Sequence, residues 1–175
     1  MIQPPLDRTR ELVETLAGSQ LTIAVAESLT GGALVAELVK VPGVSAVLLG
    51  GVVAYRTELK RSLLGVDAKH LARHGAVDPD TAVMMAAGVR RACRLEGQEP
   101  DLGIATTGVA GPDPQEGRPA GTVYIGIDGL WGSKPVELDF SSLVLPDEPE
   151  RSRARIRQAT VEAAVFNLIE YLAER

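Results

Sequence analysis

The sequence predicts a single three-layer α/β/α domain in which helices cover both faces of a mixed, mostly parallel β-sheet. Through residues 6–107, short apolar strand-like runs alternate with helical stretches, the order typical of parallel sheets. The run at residues 21–26 is apolar at nearly every position, as in strands buried on both faces. Two later runs, residues 121–128 and 136–144, are joined through a turn region and predict an antiparallel hairpin.

Composition restricts the classes of protein to consider. A chain of 175 residues with 45% hydrophobic and 23% charged residues is typical of one globular domain, which we expect to cover residues 1–175. The net charge of −5 disfavours a nucleic-acid partner. The first ten residues contain prolines and charges where a signal peptide would be apolar, and the single Cys93 excludes an internal disulfide framework. We therefore expect a cytoplasmic protein with no membrane partner.

The first half of the chain divides into clear elements. The patterns predict a helix over residues 6–17 ended by Gly18, the strand at 21–26, and a helix from the following turn to Lys40. A second strand is predicted at residues 47–55. Its Gly50-Gly51 pair indicates a bulge or a close backbone approach.

The second half begins with a short helix predicted from residue 56 or 57 to 64. Asp78 and Pro79 are typical of a helix start, and this helix should run to about residue 95. A third strand at 101–107 leads into a loop rich in glycine and proline at 108–121, a candidate functional loop. After the hairpin, a long helix over residues 148–174 completes the fold.

The turn after the first strand is a candidate site, because ligands of open α/β sheets bind beyond the carboxyl ends of strands. Ser28 lies at the strand end, and Thr30 is placed to cap the next helix. Gly31 and Gly32 let backbone amides approach an anion or a developing oxyanion. Glu27 should face away from Ser28, since successive residues of a strand alternate sides. On this segment alone, a plain helix cap is the alternative.

A second candidate follows the second strand. If Thr57 caps the short helix, Lys60 occupies its third position, where the helix dipole and burial both favour the neutral amine. A neutral lysine can act as a general base; the alternative is a solvated surface lysine. Tyr55 either hydrogen-bonds in the site or packs at the strand end.

A third candidate is the loop beginning at Thr107, whose backbone amides suit a phosphate or a sugar. It lacks the lysine of a P-loop and the third glycine of a dinucleotide fingerprint. His70 and His74 have metal-ligand spacing but no third partner, and we expect them to be exposed. We expect Cys93 to be a buried thiol inside a helix.

The last helix carries four arginines at alternate positions, 151, 153, 155 and 157. Positions 151 and 155 share one side of a helix, and 153 and 157 share nearly the opposite side. The four arginines therefore form no single basic face. One pair could serve an anionic ligand while the other is solvated.

Several of these motifs together resemble one family. The stretch from Ala26 to Gly32 is similar to the AES-C-TGG signature of the CinA C-terminal domain, also known as the nicotinamide-nucleotide amidase family, with leucine at position 29 where cysteine is common. Further matches follow in family order over about residues 6–172: Tyr55 with Lys60, Leu64-Gly65-Val66, Gly75-Ala76-Val77 and the stretch from Thr107 to Pro112.

The resemblance implies a metal-free and cofactor-free amidase. Such an enzyme converts nicotinamide mononucleotide to nicotinic acid mononucleotide and ammonia, a step of pyridine nucleotide recycling. The implied catalytic residues are Ser28 as nucleophile, Lys60 as general base and Tyr55 beside them. The implied contacts to the oxyanion and substrate are Thr30, Gly31, Gly32, Thr107, Gly108, Ala110, Gly111 and, for the phosphate, Arg153.

Two further points come from the resemblance. The family often has Gly-Asp-Arg before its last helix, where this chain has Arg151-Ser152-Arg153. The resemblance also suggests a homodimer.

The alternative function is a non-catalytic nucleotide-binding or competence-associated regulatory module, which the presence of Ser28, Tyr55 and Lys60 disfavours.

Overall fold

The computed structural model describes residues 5–174, with side chains from residue 7 onward, and contains a five-stranded sheet. The strands are β1 Ile23–Glu27, β2 Leu48–Val53, β3 Leu102–Gly108, β4 Thr122–Gly129 and β5 Gly132–Asp139, in the order β2-β1-β3-β4-β5. β1 is parallel to β2 and β3, whereas β4 is antiparallel to β3 and β5. Four of the five strands therefore point the same way, which confirms the mixed, mostly parallel sheet.

Helices cover both faces of this sheet. They are α1 Pro5–Gly18, α2 Ala33–Leu38, α3 Thr57–Leu64, α4 Ala68–His74, α5 Pro79–Ala92 and α6 Pro149–Ala173. On one face, Ile23 and Val25 of β1 belong to a core shared with α1, α2 and α6. On the other face, Ala24 and Ala26 belong to a core shared with α3 and α5. The alternation along one buried strand thus separates two cores, and the three-layer prediction is confirmed.

Small residues bring α5 very close to the sheet. A Cβ atom added at Gly103 would lie 2.1 Å from the carbonyl oxygen of Ala86, and one at Gly126 would lie 2.2 Å from the backbone of Ala82. Neither position tolerates a side chain without moving the helix. The close packing of α5 fixes the connection before it, where Ala76 forms hydrogen bonds with Thr107 and Glu116.

The paired glycines of β2 serve both purposes predicted from the sequence. The register with β1 shifts between Ile23 and Ala24, which face Leu48 and Gly50. A Cβ atom at Gly51 would lie 2.5 Å from the Val35 side chain of α2. The bulge and the close approach are therefore both present.

The hairpin is tighter than the sequence suggested. β4 ends at Gly129 and β5 begins at Gly132, whereas the predicted second strand was residues 136–144. Pro135 pairs within β5, which tolerates it because β5 is an edge strand whose outer side needs no N–H donor. Residues 141–143 form a 3₁₀ helix instead of a strand.

The end of α5 also differs from the prediction. The helix stops at Ala92, and Cys93 is its C-cap, not a residue inside the helix. The thiol is half-buried beside Gly50, and burial raises its pKa. The prediction of a buried thiol is therefore met only in part, and the raised pKa lowers the fraction of reactive thiolate. Within residues 5–174, no helix has the length and apolar character needed to cross a membrane.

Candidate active site

Ser28 and Lys60 meet at the carboxyl end of β1. The backbone amide of Ser28 extends the sheet by donating to the carbonyl of Thr106 at 2.9 Å. The Lys60 Nζ donates to Ser28 Oγ and to the Ala54 carbonyl, each at 2.9 Å. The lysine side chain is 1% exposed, so the alternative of a solvated lysine is wrong. Two candidates that lie 32 residues apart in sequence form one dyad.

Burial changes the acidity of this lysine. Loss of hydration lowers the pKa of Lys60 from 10.5 to about 8, while the carboxylates of Glu116 and Glu58 act in the opposite direction. At pH 7 about a tenth of such a lysine is neutral, compared with well under a thousandth of an ordinary one. The N-cap of α3 is Arg56, so Lys60 is the fourth helical residue and not the third. Burial is the main cause of the shift.

A buried carboxylate organises the turn around the nucleophile. Glu27 is fully buried, and its carboxylate accepts from the amides of Gly32, Leu34 and Val35 at 3.0, 3.0 and 2.9 Å. It therefore caps α2 and faces away from Ser28, as predicted. The predicted cap, Thr30, instead pairs its buried hydroxyl with that of Thr106 at 2.8 Å. The two carboxyl oxygens of Glu27 satisfy three amides at the helix start, more than a threonine hydroxyl can.

The glycine amides of this turn are already in use. The Gly32 amide donates to Glu27, and the Gly31 amide donates to the Ser28 carbonyl at 3.1 Å. Neither can also hold an oxyanion, contrary to the sequence-based expectation for Gly31 and Gly32. The amide of Thr30 has no acceptor among the hydrogen bonds of residues 5–174. Thr30 is fully buried, however, and does not border the cavity described next. The Leu29 amide also has no acceptor among these residues, and Leu29 does border that cavity.

A cavity of about 460 Å³ opens over Ser28. Its walls come from the end of β1, the start of α3, the loop after β3 and α6, and include Ser28, Tyr55, Gly108, Ala110, Gly111 and Arg153. Thr107 lies behind this wall, because its buried hydroxyl donates to the Ala76 carbonyl at 2.6 Å. The loop after β3 therefore lines the cavity, as the sequence suggested. Thr107 does not line the cavity and instead supports the start of the loop through its hydrogen bond to Ala76.

Arginines of α6 reach the site from one side of that helix. Arg153 donates to the Gly111 carbonyl and, at 3.3 Å, to the hydroxyl of Tyr55, whose side chain is 55% exposed. Arg157 donates to the carbonyls of Leu29 and Thr30. Arg151 pairs with Glu148 in solvent, so the predicted division of the arginines into two sides is confirmed.

Glu116 is a site residue that the sequence did not reveal. Its carboxylate accepts from the Ala76 amide at 2.6 Å and ties the glycine-rich loop to the connection between α4 and α5. Gly75 makes this possible, because its φ is +80° and a Cβ atom there would lie 2.3 Å from Glu116 Oε2. The sequence showed Gly75-Ala76-Val77 as a motif, but not the partner 40 residues away.

The two histidines of α4 lie against each other, and only one of them is exposed. His70 Nε2 lies 2.9 Å from Asp78 Oδ1, and its side chain is only 13% exposed, so the expectation of exposure is wrong for His70. His74 is exposed, as expected, and stacks on His70. Across residues 5–174, no group of three or more His, Cys, Asp or Glu side chains is placed to hold a metal ion.

Comparison with known proteins identifies the family. Residues 7–172 match the CinA C-terminal domain, and the chain belongs to that family. A CinA-like protein of Frankia casuarinae is 49% identical over 144 residues, which make up 82% of this chain and 30% of that protein. A protein of Geobacillus sp. (strain WCH70), whose name describes it as competence-damage inducible, is 45% identical over 157 residues, 90% of this chain and 35% of its own length. The chain spans about a third of the length of these relatives.

Solved structures of the superfamily share the whole architecture. A CinA superfamily protein from Klebsiella pneumoniae 700603 has a TM-score of 0.86 at 30% identity, covering 99% of this chain and 100% of that one. The competence/damage inducible protein CihA from Agrobacterium tumefaciens has a TM-score of 0.83 at 29% identity, covering 97% of each chain. The three-layer fold is therefore that of the CinA superfamily.

Proposed function

We propose that this chain is an amidohydrolase that converts nicotinamide mononucleotide to nicotinic acid mononucleotide and ammonia through an acyl-enzyme on Ser28. The observation that carries the proposal is the 2.9 Å contact between Ser28 Oγ and the buried Lys60 Nζ, together with the lowered pKa of that lysine. A hydroxyl beside a neutral amine is an activated nucleophile. The choice of substrate rests on the family resemblance.

Acylation begins with the neutral Lys60, which accepts the Ser28 proton as the serine oxygen attacks the carboxamide carbon. The carbonyl oxygen becomes an oxyanion, and the Leu29 amide, which is unpaired among the described residues and belongs to a residue bordering the cavity, is the turn donor that receives it. One such donor contributes about 3 kcal/mol to the transition state. The protonated Lys60 is stabilised by the Ala54 carbonyl, which accepts one of its N–H groups.

The second half of the reaction returns the proton. Lys60 gives its proton to the leaving nitrogen as the carbon–nitrogen bond breaks, and ammonia departs. Water then attacks the Ser28 ester, with neutral Lys60 accepting a proton from that water. The Ser28 oxygen takes the proton back as the ester breaks, which releases the carboxylic acid and restores the dyad.

The cavity suits a small anionic ligand. Its volume of about 460 Å³ lies within the ordinary range for small-molecule sites. Arg153 uses two donors on Gly111 and Tyr55, and a guanidinium has five, so others remain for a phosphate. The exposed Tyr55 ring offers a face for the pyridinium ring of the nucleotide.

A non-catalytic nucleotide-binding module is the alternative, and the buried lysine disfavours it. An ammonium group buried without a carboxylate partner within salt-bridge distance destabilises the fold. Within residues 5–174, Lys60 forms no salt bridge and makes hydrogen bonds only to a hydroxyl and backbone carbonyls. A binding module gains nothing from this arrangement, whereas a general base requires it.

The proposal is tested by ammonia release and by chromatography of the nucleotide product. We expect the wild-type chain to form both products in equal amounts, and Ser28→Ala to form neither while keeping its circular dichroism spectrum. Lys60→Arg retains the positive charge but cannot release its proton near neutral pH, so it cannot act as a base. This variant should lose activity by orders of magnitude. Near wild-type turnover in Ser28→Ala would refute the covalent route, and an active Lys60→Arg would refute the base.

A further inference from the structure

We propose that Arg157 is a positioning residue that holds the Ser28 turn and, through its peptide groups, aims the Leu29 amide at the reacting carbonyl. The inference rests on the proposed function for its meaning in catalysis. Arg157 lies on α6, far from the turn in sequence, and does not border the cavity over Ser28. It borders a smaller cavity together with Gly31 and Val53, and this cavity shares Leu29, Tyr55 and Arg153 with the one over Ser28.

Its contacts are directed at the backbone of the turn. The Arg157 Nε donates to the Leu29 carbonyl at 3.0 Å, and its Nη2 donates to the Thr30 carbonyl at 2.7 Å. A charged donor makes stronger hydrogen bonds to carbonyls than a neutral one does. One guanidinium thus fixes two successive peptide groups directly after the nucleophile.

Because peptide groups are planar, the hydrogen bonds of Arg157 to carbonyl groups also set the direction of N–H groups in the turn. The peptide bonds here are trans, so the C=O of one residue and the N–H of the next point in opposite directions. The carbonyl of Thr30 accepts from Arg157, so the Gly31 amide of the same peptide group points away from Arg157. That amide donates to the Ser28 carbonyl, whose peptide group also contains the Leu29 amide. Arg157 therefore sets the direction of the Leu29 N–H, which has no acceptor among the described residues and belongs to a residue that borders the cavity.

The turn needs such support because its own backbone is permissive. Gly31 and Gly32 have φ values of +59° and +98°, a region that glycine enters and leaves freely. Glu27 holds the amides that follow the turn, and Arg157 holds the carbonyls within it. Without the guanidinium, the Leu29–Thr30 and Thr30–Gly31 peptides are free to rotate, and the Leu29 amide loses its direction.

If Arg157 had only a structural role, its removal would lower stability without a specific loss of kcat. Arg90 provides the matched control for this distinction. Arg90 is also partly buried and also makes two hydrogen bonds, to the Pro100 carbonyl and to Asp128, but at the end of the strands opposite to Ser28. Arg90→Ala and Arg157→Ala should therefore both lower the melting temperature. Only Arg157→Ala should lower kcat when both are assayed well below their melting temperatures. Arg155→Ala, on the exposed side of α6, controls for the helix itself.

The experiment measures kcat, KM and the pH dependence of ammonia release for these variants. Loss of one oxyanion donor lowers kcat by about 100-fold to 1000-fold, and misdirecting it should lower kcat by about 10-fold to 100-fold. We expect KM to change less than threefold and the ascending pKa to stay where it is in the wild type. Arg157→Lys, which reaches one carbonyl, should fall between wild type and Arg157→Ala, and it carries the test if Arg157→Ala does not fold.

A second substrate separates this inference from the proposed function. p-Nitrophenyl acetate acylates an activated serine without needing a nucleotide site. If the wild type hydrolyses this ester and not nicotinamide mononucleotide, the proposed function fails, and a slower Arg157→Ala on the ester still supports the inference. Wild-type kcat in folded Arg157→Ala or Arg157→Lys on the substrate that the wild type uses overturns it. A wild type whose Ser28 reacts with neither compound overturns both.

Discussion

Lys60→Met should remove a pH dependence of stability that the wild-type chain carries. Methionine keeps the length of the side chain and removes the amine, whose pKa burial lowers from 10.5 to about 8. A pKa difference of this size between the folded and unfolded states corresponds to about 3 kcal/mol of free energy of unfolding. The variant also loses the hydrogen bonds of Lys60 to Ser28 and Ala54. Below pH 8 and above pH 10.5, this loss shifts the difference in unfolding free energy between the two proteins by an amount that does not vary with pH.

The sign of this stability change follows from the protonation of Lys60 in the folded and unfolded states. Below pH 8 both states carry the ammonium, and the folded state bears the full penalty of burying it. Between pH 8 and 10.5 the folded lysine is neutral while the unfolded one keeps its proton, so the wild type gains about 1.4 kcal/mol per pH unit relative to Lys60→Met. Above pH 10.5 the gain is complete.

The assay is urea denaturation of both proteins at several pH values from 7 to 11, followed by circular dichroism. Other titrating groups are common to both proteins and cancel in the difference. The difference in unfolding free energy should change by about 3 kcal/mol in favour of the wild type across this range. A constant difference would show that Lys60 has an ordinary pKa in the folded state, and the argument for a neutral base would fail.

Three further predictions concern catalysis. In the wild type, kcat/KM for ammonia release should rise with pH through an apparent pKa of about 8, and a pH-independent rate from pH 6 to 9 would contradict a lysine base. Glu116→Gln keeps an acceptor for Ala76 but removes the charge that raises the pKa of Lys60, so the ascending limb should move to lower pH; an unmoved or higher midpoint would contradict this coupling. Arg153→Ala should raise KM for nicotinamide mononucleotide about 10-fold to 100-fold, with little effect on nicotinamide riboside, while Arg151→Ala and Arg155→Ala stay near neutral. Equal losses on both substrates would show that Arg153 holds structure and not phosphate.

The sequence predicted the architecture well because the architecture depends on patterns within single elements. The buried run of β1 and the Asp78-Pro79 helix start are local signals, and both appear as predicted. The sequence placed β5 too late in the chain because Pro135 was assigned to the turn. A proline is compatible with a turn and with an edge strand, and only the position of β5 in the sheet decides between them.

The site was predictable in its main parts and not in its supports. Ser28 and Lys60 were identified separately, one from its place after a strand and the other from an unfavourable position at a helix start. Glu27 was correctly expected to face away from Ser28, but its three amide partners depend on how α2 returns over β1. Glu116 and Arg157 bind backbone groups of distant segments, and backbone groups are the same for every residue type. Sequence patterns alone therefore cannot assign such partners.

The most direct test of the Ser28–Lys60 dyad is rapid quenching of the reaction with nicotinamide mononucleotide, followed by mass spectrometry of the whole chain and of its peptides. The wild type should show a species heavier by the substrate less ammonia, located on the peptide containing Ser28, and it should form faster as the pH rises through about 8. Ammonia release with no covalent species at any time or pH, in a chain whose Ser28→Ala variant still turns over, would contradict the account.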